Sequence, residues 1–373
     1  MSNQSFYISN LNGLRFLAAF AVIVGHLEMC KSSLGIKHLL DSGIGFFEHG
    51  GGHLGVILFF VLSGFLITLL LLKEKEKFKT IKFSKFLIRR ALRIWPVYFL
   101  FITIVIFLVH GLETILDAKS NGGFLIILYY LILPNLAISG FGSIQFIPHL
   151  WSIGVEEQFY IVWPLIIKFF KKKGIIRIMV LLIVIIPITP HVADFFAVRL
   201  PQYKEAFRVI RLFFQYFLIN SMAIGGLLGY LFHKHRVWLE SKFKFFPSVL
   251  IIILCISPWV LGINFGFLGD VIYPLIFGLL ILTTSSTVSL KLFENRIVSY
   301  LGKISYGIYV YHWIIIYGLT YWLDLNFGEI NYGASLLINV AATIIVATIS
   351  YEVIEKNILK YKSRFALIKS GKI

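Results

Sequence analysis

The chain has 373 residues, of which 58% are hydrophobic, 16% aromatic and only 14% charged, and its mean hydropathy is +0.86. Soluble domains carry about 25% charged residues, so there is too little polar surface here to cover a globule in water. That excludes a soluble, disordered or coiled-coil protein and predicts an all-α polytopic membrane protein. The formal net charge of +17 is gathered in short loops, as in Lys73, Lys75, Lys77, Lys79, Lys82 and Lys85, and in Lys171 to Lys173. This is the pattern of positive-inside topology and attraction to membrane lipids, not of a nucleic-acid face.

Residues 1–13 carry no charged side chain. They lack the cationic start of a secretory signal, so the first apolar run is expected to persist as a membrane helix. Crossing a bilayer takes ~20 mostly apolar residues. About eleven runs qualify: 14–30, 54–72, 94–110, 123–139, 156–170, 175–189, 210–232, 247–263, 271–288, 301–322 and 334–354. Placing every basic loop on one side leaves one helix too many between 93 and 171. The suspect is 123–157, where Pro134, Gly140, Gly142 and Pro148 interrupt the pattern; broken backbone at membrane depth is tolerated where protein buries it or it lines a cavity. The expectation is one membrane domain over 1–373 with about ten crossings. A re-entrant or broken element falls in 123–157, both ends are cytoplasmic, and a short basic tail begins near 357. Cys30 and Cys255 lie in apolar runs and read as packing residues, and no spacing points to a metal site.

Ionisable groups inside membrane segments mark function by default. Arg15 and His26 are eleven residues apart, so they share a helix face about 16 Å apart along the axis and cannot bond each other. A snorkelling arginine and a packed neutral imidazole are the bland alternative. Ser63 and Gly64 permit close helix approach. Arg89, Arg90 and Arg93 share a face by i,i+4 and i,i+3 spacing, and guanidinium forks suit phosphate, although anchoring alone also explains a basic loop. The stretch from His149 and Trp151 to Glu156, Glu157 and Tyr160 sets adjacent carboxylates at the mouth of an apolar run, where they must be paired, protonated or wet. Ser305, Tyr309 and His312 share one face, as cavity lining or as an interfacial aromatic belt.

Six motifs in order carry a resemblance. They are Leu11-Asn-Gly-Leu-Arg15 with Gly25-His26, Leu58-Phe-Phe-Val-Leu-Ser63-Gly64-Phe, and Arg89-Arg90 with Arg93-Ile-Trp-Pro96-Val-Tyr98. They continue with His149-Leu-Trp-Ser to Glu156-Glu157-Gln-Phe-Tyr160, Leu301-Gly-Lys-Ile-Ser305-Tyr306 through His312, and Ser350-Tyr-Glu-Val-Ile-Glu355. Over residues 8 to about 358 the chain resembles the membrane-bound acyltransferase type 3 family, whose members O-acylate envelope polysaccharides, lipopolysaccharides and related glycans. The resemblance implies about ten helices, acetyl-CoA (acyl-CoA) as cytoplasmic donor, and an Arg-x10-His pair at Arg15 and His26 with His26 essential. It also places the paired arginines of the cytoplasmic loop at Arg90 and Arg93, with Arg89 alongside. Two departures stand out. Glu355 is followed by Lys356 and Asn357 rather than by the Glu-x-Pro ending, and Ile57 replaces the acidic residue of Gly-Val-Asp-Leu-Phe-Phe. The absence of an appended hydrolase-like domain reads as the stand-alone form.

Acyl transfer needs a held donor, a deprotonated hydroxyl and a stabilised oxyanion. The expectation is that Arg89, Arg90 and Arg93, helped by Lys85, bind CoA phosphates. His26 then acts as general base, oriented by Glu156 or Glu157, with Arg15 beside the donor arm. Ser63, Trp151, Tyr309 and His312 are the candidates to meet substrate, and Ser63, Tyr309 or His26 is available to carry the acyl group transiently. The acceptor is a glycan or lipid-linked glycan. The alternatives are a transporter of a small molecule or lipid-linked glycan, which an inverted repeat between the halves would favour, and a non-catalytic receptor or scaffold, which loss of Arg15 or His26 would favour.

Overall fold

The computed structural model describes residue 8 and residues 10–107, 122–286, 293–328 and 330–365. Among these residues the chain is predominantly helical and contains no strand. In chain order the helices are α1 (Leu11–Ser33), the single-turn α2 (Gly45–Glu48), α3 (Gly51–Phe78), α4 (Phe83–Val105), α5 (Gly122–Tyr130), α6 (Pro134–Gly140), α7 (Trp151–Phe169) and α8 (Lys172–Arg199). Then come α9 (Lys204–Tyr216), α10 (Ile219–Lys242), α11 (Phe245–Val260), α12 (Gly269–Ser286), α13 (Arg296–Lys303), α14 (Ser305–Phe327) and α15 (Tyr332–Ser350), which runs through a π-turn (Tyr351–Glu355) into α16 (Lys356–Lys362). Ten of the described helices reach sixteen residues or more. Six segments are long and apolar enough to cross a membrane by length and composition, and the protein is an all-α membrane protein.

The most buried element is α3, apolar on all sides from Leu54 to Leu72, as a central helix of a bundle must be. Close approach at small residues holds its neighbours. A Cβ on Gly25 of α1 would sit 2.7 Å from Gly52 Cα, and one on Gly64 would sit 1.9 Å from the Met222 carbonyl oxygen of α10. Such contacts drive association where lipid offers no hydrophobic gain. The basic ends of four helices meet at one end of the bundle. Lys75 Nζ donates to the Ile167 and Phe170 carbonyls at the end of α7, Arg89 of α4 lies 3.5 Å from Glu74, and His233 of α10 lies 3.2 Å from Glu76.

The element boundaries correct several sequence expectations. The region 73–93 is not a loop: α3 runs to Phe78 and α4 starts at Phe83, so Arg89, Arg90 and Arg93 stand on the first half of a helix. The run 210–232 breaks after Tyr216, because α9 alternates charged and apolar residues in a surface helix with none of its side chains buried, and the long helix begins at Ile219. The run 301–322 breaks at Ile304, where α13 packs against the start of α1 so closely that a Cβ on Gly302 would meet the Asn12 carbonyl oxygen at 1.9 Å. The suspect element is broken: α5 and α6 are nine and seven residues long, separated by a turn with Ile132 at φ +59°, and α6 starts at Pro134. The ends of the 94–110 and 271–288 runs and the last residues of the tail lie outside the described residues.

Candidate active site

Two features occupy the centre of the bundle. The first is a cavity of about 310 Å³ at its basic end. Its lining brings together Arg15 and Asn12 of α1, Phe59 and Ser63 of α3, Arg90 and Arg93 of α4, Glu156 and Tyr160 of α7, Ser305 and Tyr309 of α14, and Lys303, Glu355 and Lys362. Five cations therefore face two carboxylates. Both oxygens of Glu156 are engaged, Oε1 by the Ser63 hydroxyl at 2.7 Å and Oε2 by the Tyr160 hydroxyl at 3.1 Å. Glu355 Oε1 is buried with no hydrogen-bond partner. Arg15 Nη1 donates to Asn12 Oδ1 at 3.0 Å. The Arg90 guanidinium lies between the rings of Phe86 and Tyr160, 5.5 Å from each, with its buried Nε unpartnered. Like charges gathered in a low dielectric are costly unless an anion joins them. The lining is suited to an anionic ligand.

The second feature is an imidazole cluster beyond the cavity floor. His26 Nδ1 lies 2.6 Å from His312 Nε2, and His312 Nδ1 lies 2.6 Å from the Tyr309 carbonyl oxygen. The rings of His26 and His312 stack at 4.9 Å and 8°. A carbonyl only accepts, so His312 carries its proton on Nδ1 and offers the Nε2 lone pair. With both rings neutral, His26 then donates from Nδ1, and its own lone pair is on Nε2. The network thus assigns both tautomers. His312 is fully buried and His26 half-buried, so the chain of bonds ends at the more accessible ring. His149 sits beside them with its ring 4.8 Å from that of His312. Its Nε2 donates to the Val310 carbonyl at 3.0 Å, and its buried Nδ1 has no partner. Tyr309 joins the two features. Its hydroxyl donates to the His149 carbonyl at 2.7 Å and accepts from Ser152 at 2.6 Å, while its ring lies 6.0 Å from Phe59 and 5.6 Å from His312.

The predicted residues divide accordingly. The cavity takes Arg15, Arg90, Arg93, Ser63, Glu156 and Tyr309, and the imidazole cluster takes His26 and His312. Neither Glu156 nor Glu157 orients His26; that partner is His312, because the carboxylates sit on the α7 face turned toward α3 and α4. Glu157 accepts from Trp95 Nε1 at 3.1 Å, outside the cavity lining. Arg89 also lies outside the lining, spent on Glu74 and on the Phe365 carbonyl at 2.7 Å. Lys85 and Trp151 are not in the lining either; Trp151 packs against His53, Phe60 and Tyr216. Sequence reasoning missed His149, Tyr160 and Lys303, although each stands in a motif quoted above, and it missed Lys362 altogether.

Fold and site together define a class: a membrane-embedded transferase with a cationic cavity against an imidazole pair. The chain belongs to the acyltransferase type 3 family, whose model, described as an acyltransferase domain, matches residues 8–352. That match stops short of Glu355, Leu359 and Lys362. Among curated proteins, the peptidoglycan O-acetyltransferase OatA of Listeria monocytogenes is 29% identical over 376 residues, covering 95% of this chain and 56% of the relative. The O-acetyltransferase OatA of Staphylococcus aureus is 28% identical over 381 residues, covering 95% of this chain and 57% of the relative. The chain thus spans little more than half the length of these relatives. No solved structure matches it.

Proposed function

We propose that this chain is a membrane O-acetyltransferase domain that moves an acetyl group from acetyl-CoA to a hydroxyl of a cell-envelope glycan. In this reading the chain folds as one membrane domain in the bacterial plasma membrane, with the basic end of the bundle in the cytoplasm. The relatives' names make peptidoglycan the first acceptor to assay. The observation that carries the proposal is the hydrogen-bonded line from His26 through His312 to the Tyr309 carbonyl, set against the floor of the cation-lined cavity.

Donor phosphates rest on Arg15, Arg90 and Arg93, whose charges the cavity leaves largely uncompensated. The pantetheine arm follows the apolar wall, and the thioester passes Phe59 and Tyr309 to reach His26. The His26 Nε2 lone pair takes the proton of the acceptor hydroxyl as its oxygen attacks the thioester carbonyl carbon. The C–S bond then breaks, and the imidazolium returns the proton to the thiolate, so the products are the ester and free CoA thiol. His312 Nε2 accepts from Nδ1–H throughout, fixing the ring and stabilising its charged form.

The deciding comparison is of envelope glycans by mass spectrometry from cells with the wild-type protein, with His26→Ala, and with none. An acetyl increment present only with the wild type is the expected result. Full acetylation with a well-expressed His26→Ala would sink the mechanism.

A further inference from the structure

The last described segment of the chain folds back over the basic end. The π-turn (Tyr351–Glu355) and α16 both pack along α4, and the Arg89 guanidinium clasps the Phe365 carbonyl at 2.7 Å. Along this segment Tyr351, Glu355, Leu359 and Lys362 all line the cavity. Their spacing of 4, 4 and 3 residues is one face of a helix. The other face is turned to solvent, where Lys356 pairs with Glu352 at 2.5 Å. Lys362 reaches the same cavity as Arg15, Arg90, Arg93 and Lys303, although a fifth cation there raises the electrostatic cost of the empty site. Among the described residues no hydrogen bond or ion pair joins Lys362 to a carboxylate. A half-buried lysine amine placed among guanidinium groups gains its full charge only from an anion that all of them share.

We propose that the 351–365 segment is a working wall of the donor site and that Lys362 contacts a phosphate at the nucleotide end of acyl-CoA. The inference rests on the donor reading above and adds to it a residue beyond the span matched by the family. A strongly anionic lipid headgroup has the same chemistry, so the test separates the two.

Binding is measured by calorimetry on the full chain in nanodiscs of zwitterionic lipid, with CoA and with pantetheine, which lacks the phosphates. Wild type binds CoA more tightly than pantetheine. Lys362→Gln is expected to weaken CoA about tenfold, the worth of one charge-assisted hydrogen bond, and to leave pantetheine unchanged, while Lys362→Arg restores most of the CoA affinity. Equal weakening toward both ligands means a merely structural wall and overturns the proposal. Unchanged CoA affinity in Lys362→Gln, with affinity lost in Arg90→Ala, overturns it while the donor reading survives. If that unchanged affinity is accompanied by loss of co-purifying phosphatidylglycerol in native mass spectrometry, Lys362 holds lipid instead. Failure of the wild type to bind CoA removes the donor reading itself.

Discussion

His26 can serve as a base only while its Nε2 lone pair faces the reacting hydroxyl, and that depends on one acceptor, His312 Nε2 at 2.6 Å. Removing the acceptor frees the ring to rotate and to change tautomer. His312→Ala is therefore expected to lower the rate of acetyl transfer about tenfold to a hundredfold, less than the ~10²–10⁴ of a general base itself. His312→Gln keeps a side-chain acceptor and is expected to recover part of that loss. Rates on a soluble glycan acceptor with purified protein check both, and equal rates for His312→Ala and wild type would remove His312 from the mechanism. The residue scale is also where sequence was least sufficient. Helical spacing put Arg15 and His26 on one face, and Tyr309 and His312 on another, but it does not say which faces meet. The charge argument assigned His26 a carboxylate partner, whereas Glu156 is engaged by Ser63 and Tyr160 and Glu157 by Trp95.

At the scale of elements, the site depends on how closely α1 and α10 approach α3. Gly64 is in contact with the Met222 carbonyl, where any side chain must displace backbone. Gly64→Val is expected to destabilise the bundle by about 1–3 kcal/mol, the usual cost of overpacking, seen as a lower melting temperature in a fluorescence size-exclusion assay. Exposed Gly318, with open space around its Cβ, is the control position for the same substitution. A Gly64→Val protein as stable as the wild type would mean that the helices do not meet as described. Helix existence was legible because apolar runs of spanning length are rare outside membranes, and the break near Pro134 was legible from proline and glycine. The breaks at Phe217 and Ile304 were not, since apolarity continues across them. What interrupts the helix there is tertiary: α13 lodges against the start of α1, and α9 lies against α6 and α8.

For the whole molecule, the proposed reaction takes donor at one end and acceptor at the other, which requires the two features to open to opposite sides of the membrane. The cavity is built on the basic end, near the α3–α4 connection, whereas His26 lies toward the end that carries the 34–44 loop. The proposed orientation, with the basic end in the cytoplasm, rests on charge bias. Cysteine labelling tests that placement directly. The native Cys30 and Cys255 are buried, and replacing both by serine gives a silent background. In it, exposed Thr80→Cys reports the basic end and exposed Ser42→Cys the other. A membrane-impermeant maleimide added to intact cells stripped of wall is expected to label Ser42→Cys at once and Thr80→Cys only after permeabilisation. The reverse pattern would put the cationic cavity outside, where acyl-CoA is absent, and the direction of transfer argued from His26 would fail with it.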